Sequence, residues 1–136
     1  MKRYLLDTQA AVWLPTNNKE LPENLREEIE YVQSLFHVSY MSIVEIIHLQ
    51  QCGKIDLPLS GRELLANFDR MNVYTLPLSV DTLVGLSMLE IDRDKHSDPF
   101  DRAIIATAIS RGLTLISSDN KFPWYAEHCG LQLLEI

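Results

Sequence analysis

The sequence predicts an α/β fold, a three-layer α/β/α sandwich around a mostly parallel central sheet. Three observations carry this. Short runs with strand character alternate with helical patterns along the whole chain, the order expected of βαβ units. The strand runs are apolar throughout, as they are when helices cover both faces of a sheet. The 136 residues contain no repeat, no low-complexity tract and no linker, so residues 1–136 read as one domain of ordinary size.

Each element has a local reason. Residues 2–6 are the first strand. Thr8 is expected to cap a short helix that runs to Trp13 and stops at Pro15. Pro22 suits the first turn of a helix reaching about Leu35, with Leu25, Ile29, Val32 and Leu35 on one face. Phe36 to Tyr40 is the second strand, and Ser42 to Cys52 a helix closed by Gly53. Ser60-Gly61-Arg62-Glu63 is a capping box that opens a helix burying Leu64, Leu65, Phe68 and Met71. Val73 to Leu78 is the third strand, and Ser79 caps a helix from Val80 to about Leu89. A polar loop, Asp92 to Ser97, precedes a helix that starts at Asp98-Pro99, carries Ile104, Ile105, Ala108 and Ile109, and ends at Gly112. Leu113 to Ser117 is the fourth strand, Phe122 to Glu127 a short helix, and Leu131 to Leu134 a last strand.

Composition narrows the classes of function. Apolar content of 46% with 23% charged residues is globular rather than disordered. No apolar run approaches membrane-spanning length, and Met1-Lys2-Arg3-Tyr4-Leu5-Leu6-Asp7 is too short and too soon acidic for a signal peptide. A cytoplasmic location without membrane contact is expected. Cys52 and Cys129 form no ligand motif and read as two reduced, half-buried thiols. The net charge of −7, from 12 basic and 19 acidic residues, argues against a polyanionic partner. A bound metal would offset part of it, and the balance also fits a basic protein partner.

Five carboxylates carry the functional reading. Asp7 and Asp119 follow strands, while Glu45, Asp98 and Asp101 sit at helix starts. In an open α/β sheet such junctions converge in the crevice at the carboxyl ends of the strands. Carboxylates gathered there repel one another unless a cation lies between them, and a hard divalent ion, Mg²⁺ or Mn²⁺, suits oxygen ligands. Each acid also has a plain structural reading. Asp7 fits a turn or cap. Glu45 fits a capping box with Ser42, although its neighbours Ile43, Val44, Ile46 and Ile47 place it on a largely buried helix. Asp98 fits the cap and Asp101 the third position of the following helix, yet residues three apart share a face. Asp119 fits a turn with Asn120. The case is joint: four acids fall at equivalent junctions.

Other constellations are missing. The five glycines are scattered, so there is no phosphate-cradling loop, and no Gly-x-Ser-x-Gly elbow is present. His37, His48, His96 and His128 lack zinc-ligand spacing. His48 lies one turn after Glu45 and reads as a surface histidine or as a group orienting that carboxylate.

Three segments together resemble the PIN-domain family, specifically the VapC-type toxins of bacterial toxin–antitoxin pairs. They are Leu5-Leu6-Asp7-Thr8, Ser42-Ile43-Val44-Glu45-Ile46 with Gly53-Lys54-Ile55-Asp56-Leu57-Pro58, and His96-Ser97-Asp98-Pro99-Phe100-Asp101-Arg102-Ala103-Ile104-Ile105-Ala106-Thr107-Ala108 followed by Leu115-Ile116-Ser117-Ser118-Asp119. The Asp-Pro-Phe-Asp-Arg segment is the most specific and resembles one PIN subfamily. The resemblance implies a PIN-like fold in which Asp7, Glu45, Asp101 and Asp119 are the metal-binding acids, with Asp98 as the subfamily's extra one. It implies an Mg²⁺- or Mn²⁺-dependent endoribonuclease, a homodimer, and inhibition by a cognate antitoxin. One departure stands out: where related sequences carry Trp and Lys around the middle glutamate, this chain has Val44 and His48.

On this reading Asp7 is the central ligand, and metal-activated water hydrolyses the RNA phosphodiester. Positive charge for RNA is expected from Arg93, Lys95, Arg102 and Lys121, with Arg102 favoured because it adjoins Asp101. Two other classes stay open: a catalytically silent PIN-like domain that binds RNA or protein, and a phosphoaspartate signalling domain. The second needs a paired acid after the first strand, where this chain has Thr8, and a lysine at a late strand end, where it has serines.

Overall fold

A computed structural model describes residues 1–91 and 98–136. The chain order is β1 (Arg3–Leu6), α1 (Thr8–Trp13), α2 (Glu23–Glu30), β2 (Leu35–Ser39), α3 (Tyr40–Gln51), α4 (Gly61–Arg70), β3 (Val73–Leu76), α5 (Val80–Met88), α6 (Pro99–Arg111), β4 (Thr114–Ser117), α7 (Pro123–His128) and β5 (Leu133–Glu135). The strands form one sheet in the order β3-β2-β1-β4-β5. Every pairing is parallel, so "mostly parallel" understates the sheet.

Alternation along β1 shows why the fold has three layers. Tyr4 and Leu6 pack into one apolar cluster with Ala10, Leu25, Ile46 and Phe68. Leu5, between them, packs into the other with Ile104, Ile105 and Tyr125. Leu115 and Ile116 of β4 divide the same way. Strand side chains point to opposite faces in turn, so apolar runs require cover on both sides.

The topology fixes where a site can form. The chain moves outward from β1 through β2 to β3, then returns to place β4 on the other side of β1. The direction of winding reverses between β1 and β4. A crevice opens at the carboxyl ends of strands at such a switch point.

Several boundaries differ from the sequence reading. The second helix stops at Glu30, and Leu35 belongs to β2. Tyr31 leaves the helix, Val32 turns left-handed at φ 51°, and Gln33 N–H donates back to Glu28 O at 2.9 Å. This is a Schellman-type closure, built on valine where glycine would carry no steric cost. The third helix begins at Tyr40, capped by Ser39, so Ser42 and Glu45 form no capping box and Glu45 lies in the second turn. The first helix is capped by Asp7, with Thr8 its first residue. On α4, Leu65 is exposed while Leu64 and Phe68 are buried, and Ile109 on α6 is also exposed. The Ser60–Glu63 capping box, the Ser79 cap and the left-handed Gly112 end are as expected. Cys52 is exposed and Cys129 half-buried, both free. The loop Asp92 to Ser97 lies outside the described residues, and with it Arg93 and Lys95. Among the described residues no helix is long and apolar enough to cross a membrane.

Candidate metal centre

Asp7 follows directly on the central strand. Its backbone N–H still pairs with Ile116 O of β4 at 3.1 Å. Its carboxyl Oδ1 then accepts from Ala10 N–H at 2.8 Å, and Oδ2 accepts from Ser117 Oγ at 2.6 Å. The residue is 6% exposed. Burial lifts its pKa from an ordinary 3.8 to about 6, against the pull of Ser117 and the Ala10 N–H, and repulsion from Asp101 and Asp119 adds to the rise.

Glu45 comes from the face of α3 that meets α1. One turn before it, Ser42 is fully buried and accepts from Thr8 Oγ1 at 3.2 Å, joining the two helices. Glu45 Oε1 is buried with no hydrogen-bond partner. Burial pushes this carboxyl above its usual range; the Thr8 hydroxyl opposes that, while Asp101, Asp98 and Asp7 reinforce it. Two carboxyls are thus made harder to ionise mainly by lost water and then by one another. A cation beside them lowers the cost of ionising both.

The start of α6 brings two more acids against α3. Asp98 is the cap, its Oδ1 accepting from Phe100 N–H at 2.9 Å and Asp101 N–H at 3.1 Å. The capping role does not remove it from the site. One carboxylate oxygen each from Glu45, Asp98 and Asp101 lies within 4.8 Å of the other two. Oxygens bound to one Mg²⁺ at about 2.1 Å are at most about 4.2 Å apart, so small side-chain movements bring these three onto one ion. The all-oxygen donors and the orphaned Glu45 Oε1 fit a hard divalent cation.

Asp119 follows β4 in a turn, its N–H donating to Ser117 Oγ at 3.0 Å and its Oδ1 accepting from Lys121 N–H at 2.8 Å. Asp7, Glu45, Asp101 and Asp119 all line one open cleft of about 360 Å³, together with Thr8, Trp13 and Leu49. Asp119 therefore sits in a turn and lines the cleft at once.

The basic residues fare differently. Arg102 Nη2 donates to Leu89 O at 2.9 Å, and its charge acts on Cys129. The guanidinium thus serves the α5–α7 side and does not line the cleft. Consecutive helix residues point roughly 100° apart, so adjacency to Asp101 in the chain is not adjacency in space. Lys121 is exposed beside the Asp119 turn. His48 is also exposed and stacks on Phe100, with ring centroids 6.5 Å apart. Sequence reasoning missed Ser117, which holds Asp7, the Thr8–Ser42 pair, which ties α1 to α3 beside Glu45, and Trp13, which lines the cleft. The Thr8 hydroxyl next to Asp7 and the serine pair Ser117-Ser118 before Asp119 were the only signal for Thr8 and Ser117.

A profile of the PIN domain matches residues 4–127. Ribonuclease VapC22 of Mycobacterium tuberculosis is 25% identical over 121 residues, covering 89% of this chain and 90% of that protein. A chain of VapBC2 from Rickettsia felis, solved bound to a DNA fragment from its promoter, superposes with a TM-score of 0.72 at 16% identity, covering 98% of each chain. A chain of the DNA-bound VapBC of Salmonella typhimurium gives 0.68 at 18% identity, covering 99% of this chain and 98% of that one. At these identities the two structures speak for the fold.

Proposed function

The chain belongs to the PIN-domain family, and on that premise we propose that it is a metal-dependent endoribonuclease, the toxin of a toxin–antitoxin pair. The observation that carries the reading is the gathering of Asp7, Glu45, Asp98, Asp101 and Asp119 at one end of the sheet, with a buried Glu45 oxygen left unpartnered. Residues 1–136 are read as one PIN-like domain. The likeness to Ribonuclease VapC22 supports the nuclease class, and the VapBC structures support an antitoxin partner. The homodimer is carried over from the family resemblance.

Asp7 would be the central ligand for Mg²⁺ or Mn²⁺, with Glu45, Asp101 and Asp119 completing the site and Asp98 contributing beside Glu45 and Asp101. When bound, the ion supplies Lewis acidity at the phosphoryl oxygen and lowers the pKa of water. The chain's own groups fix the geometry. The Ser117 hydroxyl and Ala10 N–H hold both Asp7 oxygens, and the Thr8–Ser42 pair fastens α1 to α3 beside Glu45. Two backbone N–H groups hold one oxygen of Asp98. Such positioning lowers the cost of assembling the reacting groups. The carboxylates themselves do not attack. Lys121, and Arg93 and Lys95 beyond the described residues, remain the basic groups proposed to meet the RNA backbone, whereas Arg102 is already engaged.

The test is cleavage of a panel of cellular RNAs with Mn²⁺, with Mg²⁺ and with chelator, beside Asp7→Asn. Metal-dependent cutting that Asp7→Asn abolishes is expected. Because water is the nucleophile, product ends should be 5′-phosphate and 3′-hydroxyl, and a 2′,3′-cyclic phosphate would overturn the mechanism. Folded, antitoxin-free protein that cuts nothing under any metal would point to a binding role instead. Co-purification with the product of the adjoining gene tests the antitoxin.

A further inference from the structure

We propose that Trp13 is the nucleobase-binding residue of the cleft, its indole giving a base of the RNA strand a face to stack on beside the carboxylates. The inference rests on the ribonuclease reading and adds the contact that holds a base of the substrate.

Trp13 is the last residue of α1, the helix that Asp7 caps. Cap and indole therefore belong to one short rigid element. Its carbonyl accepts from Asn18 N–H at 3.0 Å and Arg26 Nη2 at 3.2 Å, which fixes the backbone. The side chain packs in part on the apolar cluster under α1 and in part lines the cleft, where Leu49 joins it and Glu45 and Asp7 stand nearby. Tryptophan carries a large apolar face, and the part of Trp13 not used against the core is presented to the cleft.

Two further observations favour a base as that occupant. Among the described residues His48 stacks on Phe100 and Trp124 stacks on His128, while no ring stacks on Trp13. Charge decides the rest. The chain carries −7, and the ionisable groups lining this cleft are carboxylates. Without bound metal, RNA phosphates approaching that wall are repelled, and a contact that does not depend on charge can add affinity at this point. Base–aromatic stacking is such a contact, and truncating the aromatic commonly weakens binding roughly tenfold per base. A tryptophan serving only the core would give the substrate nothing.

The chain has two tryptophans, and Trp124 lies on α7, outside the cleft lining. In Trp124→Phe protein the emission therefore reports Trp13 alone. With chelator present, a short single-stranded oligoribonucleotide should quench that emission, and an abasic oligomer with the same number of phosphates should not. In Mn²⁺, Trp13→Leu should raise KM for a cleaved RNA on the order of tenfold with kcat changed much less, and Trp13→Phe should recover most of the loss. If Trp13→Leu fails to fold, the fluorescence arm, which keeps Trp13 in place, decides alone. Oligonucleotide binding seen by anisotropy with Trp13 emission unmoved, or equal quenching by the abasic oligomer, would overturn the proposal. So would an unchanged KM in folded Trp13→Leu. RNA that is cut normally while Trp13 stays silent refutes this inference alone; RNA neither bound nor cut with any metal refutes the ribonuclease reading and this one with it.

Discussion

Replacing Asp7 with Asn should make the metal-free protein more stable at neutral pH while removing its activity. Burial raises the Asp7 pKa from 3.8 to about 6, so the folded state holds that proton more tightly than the unfolded chain does. Between about pH 4 and pH 6 the folded state binds more protons, and stability falls as pH rises through that window. Above it the charged carboxylate is a standing cost of about 3 kcal/mol. Asparagine avoids the charge and keeps the contacts. Its Oδ1 can accept from the Ala10 N–H, and the Ser117 hydroxyl, now a donor to Oδ2, can turn to accept from the amide. The assay is thermal or urea unfolding of both proteins in chelator from pH 4 to pH 8. A gain of up to ~3 kcal/mol at pH 7, on the order of 10 °C, should shrink to nothing near pH 4. Saturating Mn²⁺ should stabilise the wild type more than the variant, because binding to the folded state adds to stability. An Asn variant less stable than the wild type at pH 7 in chelator would refute the argument. It would mean that the Ser117 and Ala10 hydrogen bonds outweigh the burial of charge.

Three other outcomes follow from the same geometry. Glu45→Gln should lose most of the Mn²⁺-induced rise in melting temperature while keeping the chelated protein's melting temperature or raising it, because the orphaned oxygen no longer belongs to a charge; an undiminished metal-induced rise would remove Glu45 from the ligands. Arg102→Ala should cost about 1–3 kcal/mol of stability through the lost bond to Leu89 O and leave the salt dependence of RNA binding unchanged, whereas Lys121→Ala should lower the salt slope by about one; a flattened slope in Arg102→Ala would return it to the RNA-binding face. Val32→Gly should stabilise the chain by roughly 1 kcal/mol, since Val32 is exposed at φ 51° and glycine carries no Cβ penalty there; a lower urea midpoint would show that Val32 makes a contact worth more than the strain.

The helix caps and the sheet were legible because their signals are local. Ser60, Ser79, Asp98 and Gly112 mark helix ends by side-chain chemistry or left-handed geometry, and the structure places them there. The α2 terminus was not legible, because its apolar spacing continues through Val32 to Leu35 while the backbone does not. Periodicity records which residues can share a face, not where a chain leaves the helix to enter a central strand on time. Ser42 shows the same limit in reverse. Its spacing to Glu45 imitates a capping box, yet Ser39 closes the helix one turn earlier and Ser42 is spent on Thr8. Tertiary pairing decided both cases.

The carboxylates could be grouped from sequence because a parallel sheet has few places to put a loop. Every strand here points the same way, so residues just after β1 and β4 must emerge at the same end, where the winding reverses between them. That argument reaches Asp7 and Asp119 without side-chain detail. It does not reach Glu45, Asp98 or Asp101, whose approach depends on α3 and α6 packing together. Nor does it reach Arg102, which the same helix turns toward Leu89. Position along a helix axis follows from counting; direction around it follows from which face the sheet buries. Ala103 to Ala108 are buried all round α6, so the pattern that normally fixes a helix's rotation is absent where the site residues depend on it.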